Sequence, residues 1–132
     1  MYYWGKRSQK RMKGVNEHLI LCATISLTRS KYDMTIPWMG GIRTAVQQRS
    51  IYLSGNSQLD GFKRKSYHQS GNALDIIPVN GKYQNTKAMV EFSNIMKEVW
   101  EELKKEKKVK GRLLWGGDWK SFIDMPHYQI ML

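Results

Sequence analysis

Two imidazoles and one carboxylate, well separated in the chain, constrain the fold more than any other feature of the sequence. His68 and Asp75 are joined by a short span that contains Gly71, and Asp75 opens the apolar run 76–79. A histidine in a loop and an aspartate at the start of a buried strand can converge on one point. His127, one of only three histidines, lies five residues from the C-terminus and is the candidate third ligand. Two histidines and one carboxylate, with a fourth position left to water, form the ligand set of catalytic zinc.

The residues alone leave simpler interpretations open. Asp75 could be an ordinary strand-edge or turn residue, and Gly71 permits a tight turn without requiring a metal. Arg43 could be a surface charge at the start of a helix, and Asp124 a turn residue ahead of a proline. Most histidines and aspartates in proteins bind no metal, so this spacing by itself does not decide between the two interpretations.

Length and composition bound the class of protein. The 132 residues, 41% of them hydrophobic and 25% charged, are enough for one domain with a substantial core. The single cysteine, Cys22, excludes an internal disulfide framework and is expected to be a buried thiol on an apolar helix face. The net charge of +11 attracts polyanions, whether nucleic acid, anionic lipid or the acidic polymers of a bacterial envelope, and does not choose among them.

The N-terminal region carries no targeting signal that we can identify. No stretch of the chain approaches the ~20 apolar residues of a membrane span, and no apolar run follows the first basic residues as a signal peptide requires. We therefore expect a protein made in the cytoplasm, which needs another route if it acts outside. Aromatic residues lie among basic ones near the start of the chain, a pattern that suits nucleic-acid binding and equally suits a solvated terminal arm.

Hydrophobic periodicity and breaker residues predict a mixed order of helices and strands. The strongest helix spans residues 86–108, where one apolar stripe faces a core. Thr44 is predicted to cap a helix that runs to Leu53, with Gly55 as its C-terminal stop. The other predicted elements are a helix at 8–29, strands at 34–39, 73–79, 112–115 and 127–132, a loop at 55–65, and turns at 80–81 and 116–119. This order indicates an α+β fold, with a small antiparallel sheet packed against helices in one compact domain over residues 1–132.

Several motifs, spaced along most of the chain, resemble those of one enzyme family. The zinc peptidases of family M15, which include D-alanyl-D-alanine carboxypeptidases and VanX-type dipeptidases, have a signature that this chain resembles at Ser66, His68, Gly71, Ala73 and Asp75. The L-alanyl-D-glutamate endopeptidases of phage endolysins and bacterial wall hydrolases have a C-terminal motif that this chain resembles at Trp115, Gly116, Gly117, Asp118, Trp119, Phe122, Asp124, Pro126 and His127. The segment 41–57 is similar to the part of the family that precedes the first motif.

The resemblance implies that His68, Asp75 and His127 are the ligands of a Zn²⁺ ion. In such an enzyme the metal lowers the pKa of its bound water towards ~7, and a neighbouring carboxylate takes the proton and passes it to the leaving amine. The resemblance makes Asp124 that general base. The carboxypeptidase and dipeptidase branches have Glu-x-x-His where this chain has Asp124-x-x-His127, which favours the endopeptidase branch.

Two further residues receive roles from the resemblance. Arg43 is implied to bind the substrate and the transition state, as a catalytic cation beside the developing oxyanion. Ser66 is implied to hydrogen-bond the substrate or a ligand, and a structural role is equally open to it. Trp115, Asp118 and Trp119 are expected to shape the cleft and its turn.

The predicted function is therefore that of a zinc-dependent peptidase of bacterial peptidoglycan, which cuts the L-alanyl-D-glutamate bond of the stem peptide as a monomeric phage endolysin. The basic surface would concentrate it at the anionic cell envelope in place of a separate wall-binding domain, and a phage holin would release it from the host cytoplasm. One alternative is a D-alanyl-D-alanine carboxypeptidase or dipeptidase on the same metal site. Another is a basic nucleic-acid-binding protein without metal, which leaves the spaced histidine and aspartate motifs unexplained.

Overall fold

The computed structural model describes residues 1–80 and 82–132, with Lys82 described by its backbone alone. Over these residues the helices are α1 (Lys6–Arg11), α2 (Glu17–Arg29), α3 (Ala45–Leu53) and α4 (Thr86–Lys105). The strands are β1 (Met34–Thr35), β2 (Ala73–Asp75), β3 (Ile77–Pro78), β4 (Arg112–Trp115) and β5 (His127–Met131). Two short 3-10 helices lie at Lys82–Gln84 and Gly116–Asp118.

The strands form two small antiparallel sheets. β1 pairs with β3, and the other three strands lie in the order β2–β5–β4. β5 is therefore the central strand of the larger sheet, although it is the last element of the chain. Helices and short strands alternate along the chain, and the described strands pair antiparallel, so the predicted α+β fold with a small antiparallel sheet is confirmed.

The core lies between the helix pair α2–α4 and the larger sheet. The apolar stripe predicted on α4 is buried, as is the corresponding face of α2. From β5, Tyr128 and Ile130 point into this core, and the ring of Tyr128 packs edge-on against Phe92 with 6.4 Å between centroids. Cys22 is fully buried among these side chains, as predicted, and burial raises the pKa of its thiol to about 12.

The alternation of side chains along β5 positions the site described below. Tyr128 and Ile130 face the helices, so His127 and Gln129 face the opposite side of the sheet. His127 lies directly across from Asp75, because the register of β2 on β5 pairs these two residues. Directly opposed residues in antiparallel strands share a face, with Cβ atoms ~4.5–5.5 Å apart.

The single helix predicted over residues 8–29 is wrong, because the chain bends between α1 and α2. Asn16 caps α2 by accepting a hydrogen bond from the N–H of His18 at 2.8 Å. Its own N–H is donated to the carbonyl oxygen of Gly71, 2.8 Å away, rather than to the preceding turn. Gly14, with φ of +91°, ends the helical path before this cap.

Two predicted strands are shorter than expected, because other segments take their backbone groups. The strand predicted at 34–39 ends at Thr35: the N–H of Ile36 is donated to Ser8 Oγ at 3.1 Å, and its carbonyl oxygen accepts from Arg11 Nη1 at 2.8 Å. The strand predicted at 73–79 is divided between the two sheets at Ile76, whose N–H is donated to Pro126 at 2.9 Å.

The remaining boundaries agree closely with the sequence. Thr44 caps α3 through a capping box with Gln47, and the segment 56–65 contains neither helix nor strand. The predicted helix at 86–108 ends earlier, at Lys105, and Lys107 then adopts a φ of +60°. β4 is confirmed, and the last strand ends at Met131. The predicted turn at 80–81 includes Gly81, which lies outside the described residues. In the described part of the chain, no helix combines the length and apolar character needed to cross a membrane.

Candidate metal centre

The first imidazole of the site is held by a turn and by a glycine. His68 lies in the turn at residues 67–71, where Ser66 Oγ accepts its backbone N–H at 3.1 Å. Its ring is 1% exposed, and Nδ1 lies 2.8 Å from the carbonyl oxygen of Gly41. A Cβ atom at Gly41 would overlap the carbonyl oxygen of Arg11, so only glycine allows the chain to pass here and present its carbonyl to the ring.

The second imidazole and the carboxylate face each other across two strands. Asp75 ends β2 and His127 begins β5, and their register brings Asp75 Oδ1 to 3.4 Å from His127 Nδ1. The other ring nitrogen of His127, Nε2, lies 2.7 Å from Gln129 Oε1. The ring of Trp119 packs against the same imidazole, with 5.1 Å between centroids.

Three potential ligand atoms converge on one point. His68 Nε2 lies 3.2 Å from Asp75 Oδ1 and 3.2 Å from His127 Nδ1, and the third side of the triangle is 3.4 Å. Ligands at ~2.0–2.1 Å in tetrahedral order around an ion stand ~3.3 Å from one another. The triangle therefore has the size that a small tetrahedral ion requires, and the cluster could hold a metal ion.

The hydrogen bonds of the two rings indicate that these atoms carry lone pairs. His68 Nδ1 faces a carbonyl oxygen and His127 Nε2 faces an amide oxygen, so both outer nitrogens must donate a proton. In the neutral rings the inner nitrogens are then acceptors. Asp75 Oδ1 is buried and has no hydrogen-bond partner. Three acceptors facing one another need a cation between them, either an added proton or a metal ion.

The charges of the site shift the pKa values of its members. Burial alone would raise the pKa of Asp75, but the facing rings of His68 and His127 lower it well below its ordinary value. Burial alone would lower the pKa of His127, but the carboxylate of Asp75 raises it above its ordinary value. Together, the shifts of Asp75 and His127 favour an ionised carboxylate with positive charge beside it.

Arg43 holds the other oxygen of the carboxylate. Its Nη2 lies 3.0 Å from Asp75 Oδ2, and both side chains are largely buried. Its Nη1 donates to Gln48 Oε1 at 3.0 Å, and its Nε donates to the carbonyl oxygen of Met39 at 2.7 Å. Met39 has a φ of +59°, an uncommon conformation for a residue other than glycine. Gln48 is fully buried and also donates to the carbonyl oxygen of Leu59, so the guanidinium is fixed on three sides.

Asp124 lies in the loop before β5. Its N–H is donated to the carbonyl oxygen of Gly116, and its own carbonyl accepts the N–H of His127. Burial raises the pKa of Asp124, and repulsion by the carboxylate of Asp75 raises it further. The charges of the histidines and the arginine oppose this rise, so the side chain of Asp124 lies within the field of the whole cluster.

Comparison with known proteins identifies the family. A family model described as phage L-alanyl-D-glutamate peptidase matches residues 1–129. This chain belongs to that family. An L-alanyl-D-glutamate peptidase of Escherichia phage T5 is 34% identical over 121 residues, which cover 91% of this chain and 83% of that protein. The predicted resemblance to the endopeptidase branch is thus confirmed.

Two further comparisons show a likeness in sequence and in fold. An L-alanyl-D-glutamate peptidase of Listeria phage A118 is 35% identical over 88 residues, which cover 67% of this chain but only 27% of that longer protein. The crystal structure of the L-Ala D-Glu endopeptidase ChiX of Serratia marcescens superposes with a TM-score of 0.78 at 23% identity, over 96% of this chain and 87% of that chain. The last comparison shows that the fold is shared.

In this member of the family, the structure brings four of the six predicted site residues into direct contact: His68, Asp75, His127 and Arg43. Asp124 lies close enough to feel their charges. Ser66 is buried, and the contact that its hydroxyl makes is with the backbone of the His68 turn. Its predicted contact with a substrate, like the catalytic roles of the others, stays a prediction.

Sequence reasoning assigned no role to two residues that support the site, Gln48 and Gln129. Gln129 could have been found from the alternation of β5, because it lies two residues beyond His127 and so on the same face. Gln48 carries no such signal. Its amide reaches Arg43 and the loop residues Ser57 and Leu59 only through the tertiary fold.

Proposed function

We propose that this chain is a zinc-dependent peptidoglycan peptidase that hydrolyses the L-alanyl-D-glutamate bond of the stem peptide. The observation that carries the proposal is the convergence of His68 Nε2, Asp75 Oδ1 and His127 Nδ1 on one point, in a member of a family named for this reaction. Two relatives that are 34% and 35% identical over the matched residues bear the same name.

Zinc fits this set of donors better than other common ions. Two imidazole nitrogens and one carboxylate oxygen form a tetrahedral set with one position open, whereas calcium and magnesium prefer oxygen ligands throughout. Zinc bound there would supply a Lewis acid that polarises the scissile carbonyl and lowers the pKa of a water molecule. The only cysteine lies in the helical core, away from this site.

Asp124 is proposed as the general base. Its carboxylate would accept a proton from the attacking water and deliver it to the nitrogen of D-glutamate, so that the C–N bond breaks to an amine and a carboxylate. The raised pKa of Asp124 suits the first part of this role, because a carboxylate with a higher pKa accepts the proton of the water more readily than an ordinary aspartate. Pro126 restricts the backbone between Asp124 and His127, which keeps base and ligand in register.

Arg43 is proposed to act on both the carboxylate and the substrate. Three of its five N–H groups are donated to Asp75, Gln48 and Met39 in the described structure. The remaining two are proposed to stabilise the oxygen of the scissile carbonyl as negative charge develops there. Because the guanidinium is fixed on three sides, it needs little reorganisation when the substrate binds.

The basic surface is proposed to concentrate the enzyme on the bacterial envelope. The net charge of +11 favours the anionic polymers of the wall, through an attraction that salt screens. As a phage lysis enzyme, the protein would reach the wall after release from the host cytoplasm through a holin, and it would act as a monomer.

Mass spectrometry of digested muropeptides tests the proposed reaction. The purified protein with zinc is expected to separate the stem peptide from L-alanine, leaving D-glutamate as the new N-terminus, and a chelator should abolish the reaction. Release of terminal D-alanine instead would identify the carboxypeptidase activity and contradict the proposal. Purified walls from species with different cross-links serve as substrates, so that one resistant wall does not determine the result.

A further inference from the structure

Gln129 makes one contact that the proposed mechanism does not use. It lies on β5 two residues beyond His127, is 8% exposed, and places Oε1 at 2.7 Å from His127 Nε2. This is the shortest of the polar contacts around the two imidazoles. It leaves the opposite ring nitrogen, Nδ1, facing the potential metal position.

The surroundings of Gln129 fix the orientation of its amide. The residues directly opposite it on the two neighbouring strands are Ala73 and Leu114, which offer no polar side chain. Its Nε2 lies 3.5 Å from the sulfur of Met131, which can only accept a weak hydrogen bond. The amide nitrogen therefore points to the sulfur and the amide oxygen to the imidazole.

Two acceptors compete for the single proton of the neutral His127 ring. On one side is the amide oxygen of Gln129, at 2.7 Å from Nε2. On the other is the carboxylate of Asp75, whose Oδ1 lies 3.4 Å from Nδ1. A carboxylate is the stronger acceptor of the two, so without Gln129 the proton would move to Nδ1. Nδ1 would then be a donor, and a metal could bind it only after the proton had returned to Nε2, which weakens metal binding.

We propose that Gln129 is a positioning residue, which holds His127 in the tautomer with its proton on Nε2 and so keeps the lone pair of Nδ1 for the metal. The inference rests on the proposed zinc site but on no step of the proteolysis. Partners of this kind, which bind the outer nitrogen of a ligating histidine, change metal affinity by ~10–100-fold when they are removed.

Zinc affinity in three variants tests this role, measured by competition with a chromophoric chelator. Gln129→Met keeps the length of the side chain but removes the acceptor, and it should weaken zinc binding by ~10–100-fold. Gln129→Glu restores an acceptor at the same place and should keep the wild-type affinity or exceed it. Gln58→Met changes an exposed glutamine in the loop before the site and serves as the matched control, with unchanged affinity.

A spectroscopic measurement on the wild-type protein decides the matter even if Gln129→Met fails to fold. In the zinc-loaded protein labelled with ¹⁵N-histidine, the NMR spectrum should show a hydrogen-bonded proton on Nε2 of His127 and a metal-induced shift of Nδ1. Zinc bound through Nε2, or equal zinc affinity in folded Gln129→Met and wild type, would overturn the proposal. So would a loss of affinity in Gln129→Glu as large as that in Gln129→Met.

These readouts are independent of the reaction. Chelator competition and NMR need no substrate, so a protein that binds zinc as described and leaves muropeptides uncut would contradict the proposed function and support the role of Gln129. A protein that cuts the L-alanyl-D-glutamate bond but tolerates Gln129→Met with unchanged zinc affinity would do the reverse.

Discussion

The helix pair α2–α4 and the strand pair β2–β5 are stabilised in opposite ways. The helices bury apolar side chains. Each contact between these side chains is weak, and many of the contacts can be replaced by others. One face of the strand pair buries polar atoms that meet at one point, and each of these atoms has a specific partner or none. Loss of a core side chain should therefore lower stability by degrees, whereas loss of one metal ligand should abolish zinc binding and activity.

The two regions also depend on each other. A buried carboxylate oxygen without a hydrogen-bond partner, such as Asp75 Oδ1, lowers the stability of the fold until a cation lies beside it. The apolar core supplies the stability that tolerates this cost in the metal-free protein. A metal ion that binds only the folded state raises the free energy of unfolding. The increase grows with the logarithm of the ratio of the metal concentration to its dissociation constant.

The largest effect is expected from removal of a ligand. His68→Ala should lose zinc and peptidase activity together, because two remaining ligands do not hold the ion. The fold should persist, because the helical core does not include this ring. Metal content and muropeptide cleavage measure the result, and His18→Ala, which changes a histidine on α2, is the control. A His68→Ala protein that still carries one zinc and cleaves walls would contradict the ligand assignment.

The second-largest effect is expected from a change of the proposed base, which should affect turnover but not zinc binding. Asp124→Asn should lower the turnover number by ~10²–10⁴-fold, the usual contribution of general acid–base catalysis, while zinc stays bound. Asp118→Asn, on the same loop but in an exposed ion pair with Lys97, should leave turnover unchanged. Loss of zinc in Asp124→Asn, or full turnover with zinc bound, would show that this carboxylate is not the base.

A substitution in the helical core should lower the stability of the fold and leave the site unchanged. Phe92→Ala removes a buried ring that packs on Tyr128 and should lower the free energy of unfolding by ~3–5 kcal/mol. Urea denaturation measures the loss. The folded fraction should still bind one zinc per molecule, and failure to do so would show that the core and the site are not separable.

The smallest effect is a dependence of zinc binding on pH. The pKa of His127 is raised in the metal-free protein, so a proton occupies this site to a higher pH than in a free histidine, and zinc must displace it. Zinc affinity should fall ~10-fold for each pH unit below that pKa for each proton released. The stability of the metal-free protein depends on pH in the opposite direction. Because the pKa of His127 is higher in the folded than in the unfolded protein, this residue stabilises the fold at pH values below its unfolded-state pKa. The contribution is lost as the pH rises through the folded-state pKa. Zinc affinity that does not change between mildly acidic and neutral pH would contradict the shared site.

The sequence predicted which side chains converge better than it predicted the boundaries of the elements around them. The spacing of His68 and Asp75 is a local pattern of the sequence. The apolar stripe of α4 and the cap at Thr44 are local patterns as well. The division of the strand at Ile76 was missed because its N–H bonds to Pro126, fifty residues away in the chain. The bend before Asn16 likewise depends on Gly71, which belongs to the site turn.

Anomalous diffraction at the zinc edge, from crystals of the zinc-loaded protein, tests the central claim most directly. We expect one strong peak at ~2.0–2.2 Å from His68 Nε2, Asp75 Oδ1 and His127 Nδ1, with a fourth position open to solvent. A peak elsewhere, or a peak that leaves any of these three atoms outside bonding distance, would contradict the account.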